Sequence, residues 1–335
     1  MDAVRGRRSA LIQTHDNPDP DCIGSAVALR HLIQRYAGIP VVIAHGGTVG
    51  RSENRAMLRM LRVKAVPADR VDYARHDLVC VVDGQPATGY CSLPEGVRAD
   101  VIFDHHPVRE APVGASFVDI DELAGSTCTL LGEMIVENGI PVGQEVATAL
   151  VYGMKAETQD LGRETRARDV SVYTALYPMA NKRLLSRILS ERVPRSYFQT
   201  FTRALLDARV HGSAVVSDLG EIPVPDMVPE MADFLLRLKD ARWTCVMGSV
   251  GARLYVSLRA ADPTMRADRA LRRALHGTGV SGGHGCMAGG QVGMTGMTPE
   301  ERGILRREFV GQFLRSVRVK DREGHLLVED GRAPR

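Results

Sequence analysis

Three short apolar runs, each leading into a carboxylate, constrain this fold more than any other feature. Residues 9–14 lead into His15-Asp16, residues 77–82 (DLVCVV) end at Asp83-Gly84, and residues 101–103 end at Asp104. Runs this short and largely apolar read as strands, buried ones at 77–82 and 101–103, and helical stretches separate them. A parallel α/β sheet with one functional edge satisfies the pattern, because such sheets gather their chemistry at the carboxyl ends of the strands. One Asp after a strand is usually a turn or cap residue. Three such strand ends in one chain point to a shared site. The most pointed is VIFDHHP, which sets a carboxylate and two imidazoles directly after a buried strand in a chain with only ten histidines, and Pro107 then stops regular structure.

The first run continues into HDNPDPDCIGSAVALRHLIQ. Pro18 and Pro20 predict an extended segment with His15, Asn17, Asp19 and Asp21 on one side, and a helix from Gly24 and Ser25 onward. A helix cap needs one such residue and does not account for a His and two acids at alternate positions. A further strand is predicted at 40–45 and helices at 53–62, 125–138 and 144–156, the last leading to Glu157 and Asp160. Residues 168–207 read as several helical pieces joining the first domain to a second that begins near 211. In the second domain the strands fall at 213–219, 243–250 and 254–258, with Arg259 just after the last, and the helices at 226–238, 266–275 and 298–316. Between them lies HGTGVSGGHGCMAGGQVG, read as a glycine-dense loop whose backbone can approach an anion closely. The predicted organisation is a catalytic domain with helical connector over 1–207, a smaller α/β domain over 211–320 and a loose tail over 321–335.

Composition excludes several classes. A chain of 335 residues, 44% hydrophobic, can bury two cores. Its 43 basic and 40 acidic residues give a net charge of +3, too mild for wrapping duplex DNA. One Trp argues against a groove of stacked rings. Six Cys without paired metal-finger spacing read as reduced thiols of a cytoplasmic protein. No run approaches the ~18 apolar residues of a membrane span.

Collected together, His15, Asp19, Asp21, Asp83, His105 and an acid at 157 or 160 would supply two imidazoles and four carboxylates. Four carboxylates cannot all stay ionised at close range without cations. Two divalent ions would neutralise them, and mixed His/Asp ligation suits Mn²⁺, with Mg²⁺ or Zn²⁺ as alternatives. Paired metals are a recurrent device for cleaving phosphate esters.

On these residues the chain resembles a known family. THDNPDPDCIGS, VVDG, FDHH and YGMKAETQD resemble the four motifs of the DHH phosphoesterases, and SGGHGCMAGG resembles the glycine-histidine motif of their DHH-associated C-terminal domain. In size it is similar to the short two-domain members, the oligoribonucleases (nano-RNases), some of which also hydrolyse 3′-phosphoadenosine 5′-phosphate or linear dinucleotides. The resemblance implies an active site in a cleft between two domains, where water activated by metal attacks phosphorus in line. It implies His15 and Asp19 on a first metal, Asp21 and His105 on a second, and Asp83 bridging both. Glu157 would be the fourth-motif ligand, with Asp160 as the fallback. His106 would face the scissile phosphate, supported by Asp104. Asn17, Arg259, Gly282, Gly283 and His284 would bind substrate. The implied partners are short RNA or nucleotides, with a homodimer compatible and neither membrane nor duplex DNA involved. Two other functions are weighed: a nucleotide-binding regulator that has lost turnover, and a hydrolase of pyrophosphate or short polyphosphate.

Three departures from the family pattern stand out: Glu157 where Asp is usual, Pro20 where Gly is common, and DGQPATG in the second motif.

Overall fold

The computed structural model describes residues 2–328 apart from 87, 89, 90, 92 and 109–113. The chain divides into two compact units, Met1–Arg192 and Val193–Arg335.

The first unit runs β1 (Ala10–Thr14), α1 (Pro20–Ala37), β2 (Val41–His45), α2 (Ser52–Met60), β3 (Ala65–Pro67), β4 (Leu78–Val82), β5 (Val101–Asp104), β6 (Phe117–Ile120), α3 (Thr127–Glu137), α4 (Gln144–Glu157), α5 (Ala167–Leu176) and α6 (Lys182–Leu189). Among the described residues its six strands form one parallel sheet in the order β3-β2-β1-β4-β5-β6. The order turns back between β1 and β4, so a crevice opens beyond their carboxyl ends, where open α/β sheets bind ligands. Alternate residues of each strand serve opposite cores. Ala10, Ile12, Leu78, Cys80, Val82, Val101 and Phe103 pack with α1, α3 and α4. Leu11, Val81 and Ile102 pack on the other face. Burial on both faces explains the largely apolar runs of β1, β4 and β5. The short β3 and the half-exposed edge strand β6 lack such a run and were not predicted.

Helix α1 corrects the predicted loop: it begins at Pro20, four residues before Gly24. Proline fits the first helical turn, where its missing N–H costs nothing. Asp19 is the N-cap, its Oδ1 accepting from the Cys22 N–H at 3.0 Å. Residues 15–21 are therefore a turn into a helix, and the strand-like alternation does not hold.

The second unit comprises α7 (Arg195–Leu206), β7 (Arg209–His211), β8 (Ala214–Glu221), α8 (Met227–Leu235), β9 (Trp243–Val250), β10 (Arg253–Ala260), α9 (Ala267–Leu275), β11 (Val280–His284), β12 (Met287–Gly293), α10 (Pro299–Ser316) and β13 (His325–Leu326). Its sheet has the order β11-β12-β10-β9-β8-β7-β13, antiparallel except for β8 beside β9. Three expectations change here. Helix α7, read as part of the first domain's connector, buries Tyr197, Phe201, Ala204 and Leu205 against Leu219 and Met231, which moves the boundary to residues 192/193. The glycine-dense segment is a β-hairpin, with Gly282 opposite Gly289 and His284 opposite Met287. Its glycines meet a packing demand: a Cβ on Gly279 would lie 2.4 Å from the Gln291 carbonyl oxygen, and one on Gly290 would lie 2.9 Å from Leu275 Cδ1. Of the expected tail, residues 325–326 form an edge strand on β7, and residues 329–335 lie outside the described residues. No helix among the described residues is long and apolar enough to cross a membrane.

Candidate metal centre

The candidate residues of the first unit converge at the crevice. His15 follows β1 directly, Asp83 follows β4, Asp104 closes β5, and His105-His106 come next. Asp19 and Asp21 come from the first turn of α1, and Glu157 is the last residue of α4. Close packing of α1 on α4 makes this possible. A Cβ on Gly153 would lie 2.9 Å from the Pro20 carbonyl oxygen, and one on Gly24 would lie 2.7 Å from that of Ala149. Asp83 holds a left-handed backbone, φ 56°, which Asp tolerates better than bulkier residues and which aims its carboxylate back across β1.

Asp83 is the hub. Its Oδ2 lies 3.4 Å from His15 Nε2, and its Oδ1 lies 3.6 Å from His105 Nε2. His15 Nε2 is also 3.7 Å from Asp19 Oδ1, and His105 Nε2 is 3.8 Å from Asp21 Oδ2. These separations exceed good hydrogen bonds. They are close to the ~3.0–3.5 Å edge between neighbouring ligands whose bonds to one ion are ~2.1 Å. The ring tautomers agree with this. His15 Nδ1 lies 2.9 Å from the Asp16 carbonyl oxygen and His105 Nδ1 lies 3.4 Å from that of Ala124. A carbonyl can only accept, so each Nδ1 carries a hydrogen and each Nε2 faces the acids, where its lone pair would serve an ion that displaces any proton held there. His105 Nε2 is buried without a hydrogen-bond partner, which a bound cation would remedy.

His106 is oriented otherwise. Its Nδ1 lies 2.8 Å from Asp104 Oδ1, and its side chain is 39% exposed. Asp104, fully buried, also accepts from the His106 backbone N–H at 3.2 Å and from Gln85 Nε2 at 2.7 Å. Gln85 is thus the second-motif residue that fixes the Asp104 carboxylate. Sequence reading missed it, because an amide inside a polar turn has no periodicity to mark it. It predicted the helix at 125–138 but not its part in the site: the Thr127 and Cys128 N–H groups of α3 each donate to Asp21 at 2.8 Å, while the Thr127 hydroxyl donates to Asp83 at 2.8 Å. A helix N-terminus stabilises a buried carboxylate there. Asp21 retains lone pairs for a cation beyond the two it uses.

The electrostatics are those of a crowded acid cluster. Burial, then the charges of Asp83, Asp19 and Glu157, push the Asp21 carboxyl well above the usual range. Burial and Asp19 likewise raise Glu157, opposed by His105 and Arg163. Burial would also raise Asp83, but His15, His106 and His105 outweigh it and hold that carboxyl well below the ordinary value. Burial opposes the His106 cation, yet Asp104 and Asp83 lift its pKa to about 10. Against burial, Cys22, Asp19 and Asp83 hold His15 well above its usual value. Without cations the cluster retains protons that divalent ions would displace. Donor types, tautomers and the orphaned nitrogen all fit such ions.

Other candidates are placed elsewhere. Asp160 is 71% exposed and pairs with Lys155, whereas Glu157 is paired to Arg163 at 3.2 Å beside the cluster. Asn17 turns its Oδ1 to the Thr48 N–H at 2.9 Å, so it closes the loop after β2. In the second unit Arg259 is buried and engaged by Asp233, Ser257 Oγ (2.8 Å) and the Leu258 carbonyl oxygen (3.1 Å). Gly282, Gly283 and His284 lie along β11, and Gly283 has the φ of 140° that favours glycine.

This sheet order and this cluster define a candidate metal site at the topological switch of an α/β domain. Residues 9–154 match the model described as the DHH family, N-terminal domain, and the first unit belongs to that family. An uncharacterized protein of Methanocaldococcus jannaschii is 31% identical over 284 residues, covering 84% of this chain and 57% of that relative. The chain therefore spans little more than half that relative's length. A probable manganese-dependent inorganic pyrophosphatase of Streptococcus agalactiae is 26% identical over 243 residues, 69% of this chain and 77% of the relative. The fold is shared with an exopolyphosphatase-related protein from Bacteroides fragilis, at 16% identity and TM-score 0.73, over 94% of this chain and 95% of that one.

Proposed function

We propose that this chain is a Mn²⁺-dependent phosphoesterase that hydrolyses short oligoribonucleotides or small nucleotides such as pApA and 3′-phosphoadenosine 5′-phosphate. The observation that carries the reading is the division of labour around Asp83: two Nε2 atoms turn toward the acids, while His106 turns its Nδ1 to Asp104. His15, Asp19, Asp21, Asp83, His105 and Glu157 would hold two divalent ions. When bound, such ions polarise a phosphoryl oxygen and make water a better nucleophile at neutral pH. The protein's own part is then clear. In the metal-free chain Asp104 and Asp83 lift the His106 pKa to about 10 against burial, and Asp104 fixes its ring so that a protonated Nε2 could serve a departing oxygen. Asp104, pinned by Gln85, keeps that ring orientation.

A nucleotide rather than pyrophosphate is supported by the second unit. Arg269, Arg272, Arg273 and His276 line one surface concavity at the end of α9, suited to several phosphates in a row. The test is Mn²⁺-dependent release of mononucleotide from pApA. No turnover on short nucleotides with any divalent ion overturns the reading. Pyrophosphate hydrolysis is the second reading, favoured by the Streptococcus agalactiae relative. Phosphate release from pyrophosphate without release from pApA would establish it. Nucleotide binding without hydrolysis would establish a regulatory protein instead.

A further inference from the structure

The residue after Asp21 is a cysteine, and the fold turns its sulfur into the cluster. Cys22 lies in the first turn of α1 and is completely buried. Its backbone N–H is capped by Asp19, which holds the turn in place. Its Sγ, a ring nitrogen of His15 and a carboxylate oxygen of Asp83 all lie within 4.8 Å of one another. The sulfur's contact with the Val82 carbonyl oxygen is long, 3.9 Å, and its side-chain polar partner is the His15 ring itself. A second observation at the same carboxylate points to cations. Across Asp83, the buried His105 Nε2 has no hydrogen-bond partner and lies 3.6 Å from Asp83 Oδ1.

The two sides of Asp83 thus differ chemically. With His15, which faces Oδ2, stand Asp19 and a sulfur. On the Oδ1 side stand His105 and Asp21, which bring nitrogen and oxygen. Sulfur ligands favour Zn²⁺, Co²⁺ and Cd²⁺ over Mn²⁺ and Mg²⁺.

We propose that Cys22 is a metal ligand on the His15 side of Asp83, making that position selective for a thiophilic divalent cation such as Zn²⁺. The inference rests on the reading that the cluster holds divalent ions. On binding, the S–H bond breaks, its proton leaves to solvent and a sulfur–metal bond forms, with no change of oxidation state.

The experiment titrates the metal-free full chain with Co²⁺, following absorbance and following bound metal by equilibrium dialysis. A thiolate-to-cobalt charge-transfer band in the near ultraviolet is expected as the ion binds. Cys22→Ser should still bind Co²⁺ and show its visible bands but lose the charge-transfer band, and Cys22→Ala guards against an effect of serine itself. Cys128→Ala should keep the band. The preference for Zn²⁺ over Mn²⁺ in competition dialysis should fall roughly tenfold or more in Cys22→Ser. Co²⁺ bound without a charge-transfer band, or a band unchanged in Cys22→Ser, overturns the role of Cys22 while leaving the metal centre standing. Failure of the native chain to bind Co²⁺, Zn²⁺ or Mn²⁺ overturns both.

Discussion

His105 and His106 are consecutive, with ring centroids 4.4 Å apart, yet they turn different nitrogens to the acids, Nε2 in His105 and Nδ1 in His106. His105 gives its Nδ1 hydrogen to the Ala124 carbonyl and keeps Nε2 for the acids, while His106 gives its Nδ1 hydrogen to Asp104. Their substitutions should therefore separate. His106→Ala is expected to keep its Mn²⁺ and lose roughly 10²–10⁴ in kcat. His105→Ala should lose about one equivalent of metal by elemental analysis. Equal metal loss in both variants would contradict the assignment. The same pair sets a pH dependence. In the metal-free protein His106 titrates near 10, against the ordinary 6.5. A pKa raised by folding adds stability that is complete below the unfolded value and fades as pH rises through the folded one. The Tm of the metal-free protein should accordingly fall between pH 7 and about 10. That slope should flatten in His106→Ala, and an unchanged slope would rule out His106 as its source. The residue types of this motif were legible in the chain, but which nitrogen each ring would present was not. The choice depends on the Ala124 carbonyl, some twenty residues further on, and on Gln85.

At the scale of elements, α1 and α4 matter most. Asp21 sits in the first turn of one and Glu157 at the last residue of the other, so their separation depends on how closely the helices pack. Gly24 and Gly153 set that distance. A Cβ on Gly153 would meet Cys128 Sγ at 2.4 Å and Asp21 Cα at 3.1 Å. Gly153→Ala is expected to cost about 1–3 kcal/mol in urea unfolding, the usual cost of overpacking. It should also weaken Mn²⁺ binding, because Asp21 and Glu157 are pushed apart. Normal metal affinity in a destabilised variant would separate packing from ligand geometry. Helix α3 adds the other constraint, since Thr127 reaches both Asp21 and Asp83. Thr127→Val should lower metal affinity through Asp83, and calorimetric titration would show it. Strands β1, β4 and β5 were legible from their apolar runs, whereas the start of α1 was not. Two prolines read as helix breakers, yet Pro20 occupies the one turn where proline is welcome.

For the whole molecule, the cluster couples metal to stability. Three carboxylates and two imidazoles are displaced from their ordinary pKa values at one crevice, so cation binding should stabilise the folded first unit. At about a hundred times the dissociation constant, one site adds roughly 2.7 kcal/mol. In a unit of this size that raises Tm by on the order of 5–10 °C. Mn²⁺ added to chelator-treated protein and followed by calorimetry should show this rise, and no rise would argue against a cation at the cluster. The sequence alone determined that the first unit is a parallel α/β sheet whose strands end in acids, and which residue types gather at its edge. Those features are local: an apolar run and the residue that stops it are read within a few positions. Only the tertiary structure placed Glu157 at the cluster and Asp160 at the surface, turned the glycine-dense segment into a hairpin, moved α7 to the second unit and brought Cys22 and Gln85 to the site. Each of these depends on which distant backbone and side chains the packed elements bring together, and no local periodicity of two or 3.6 residues carries that information.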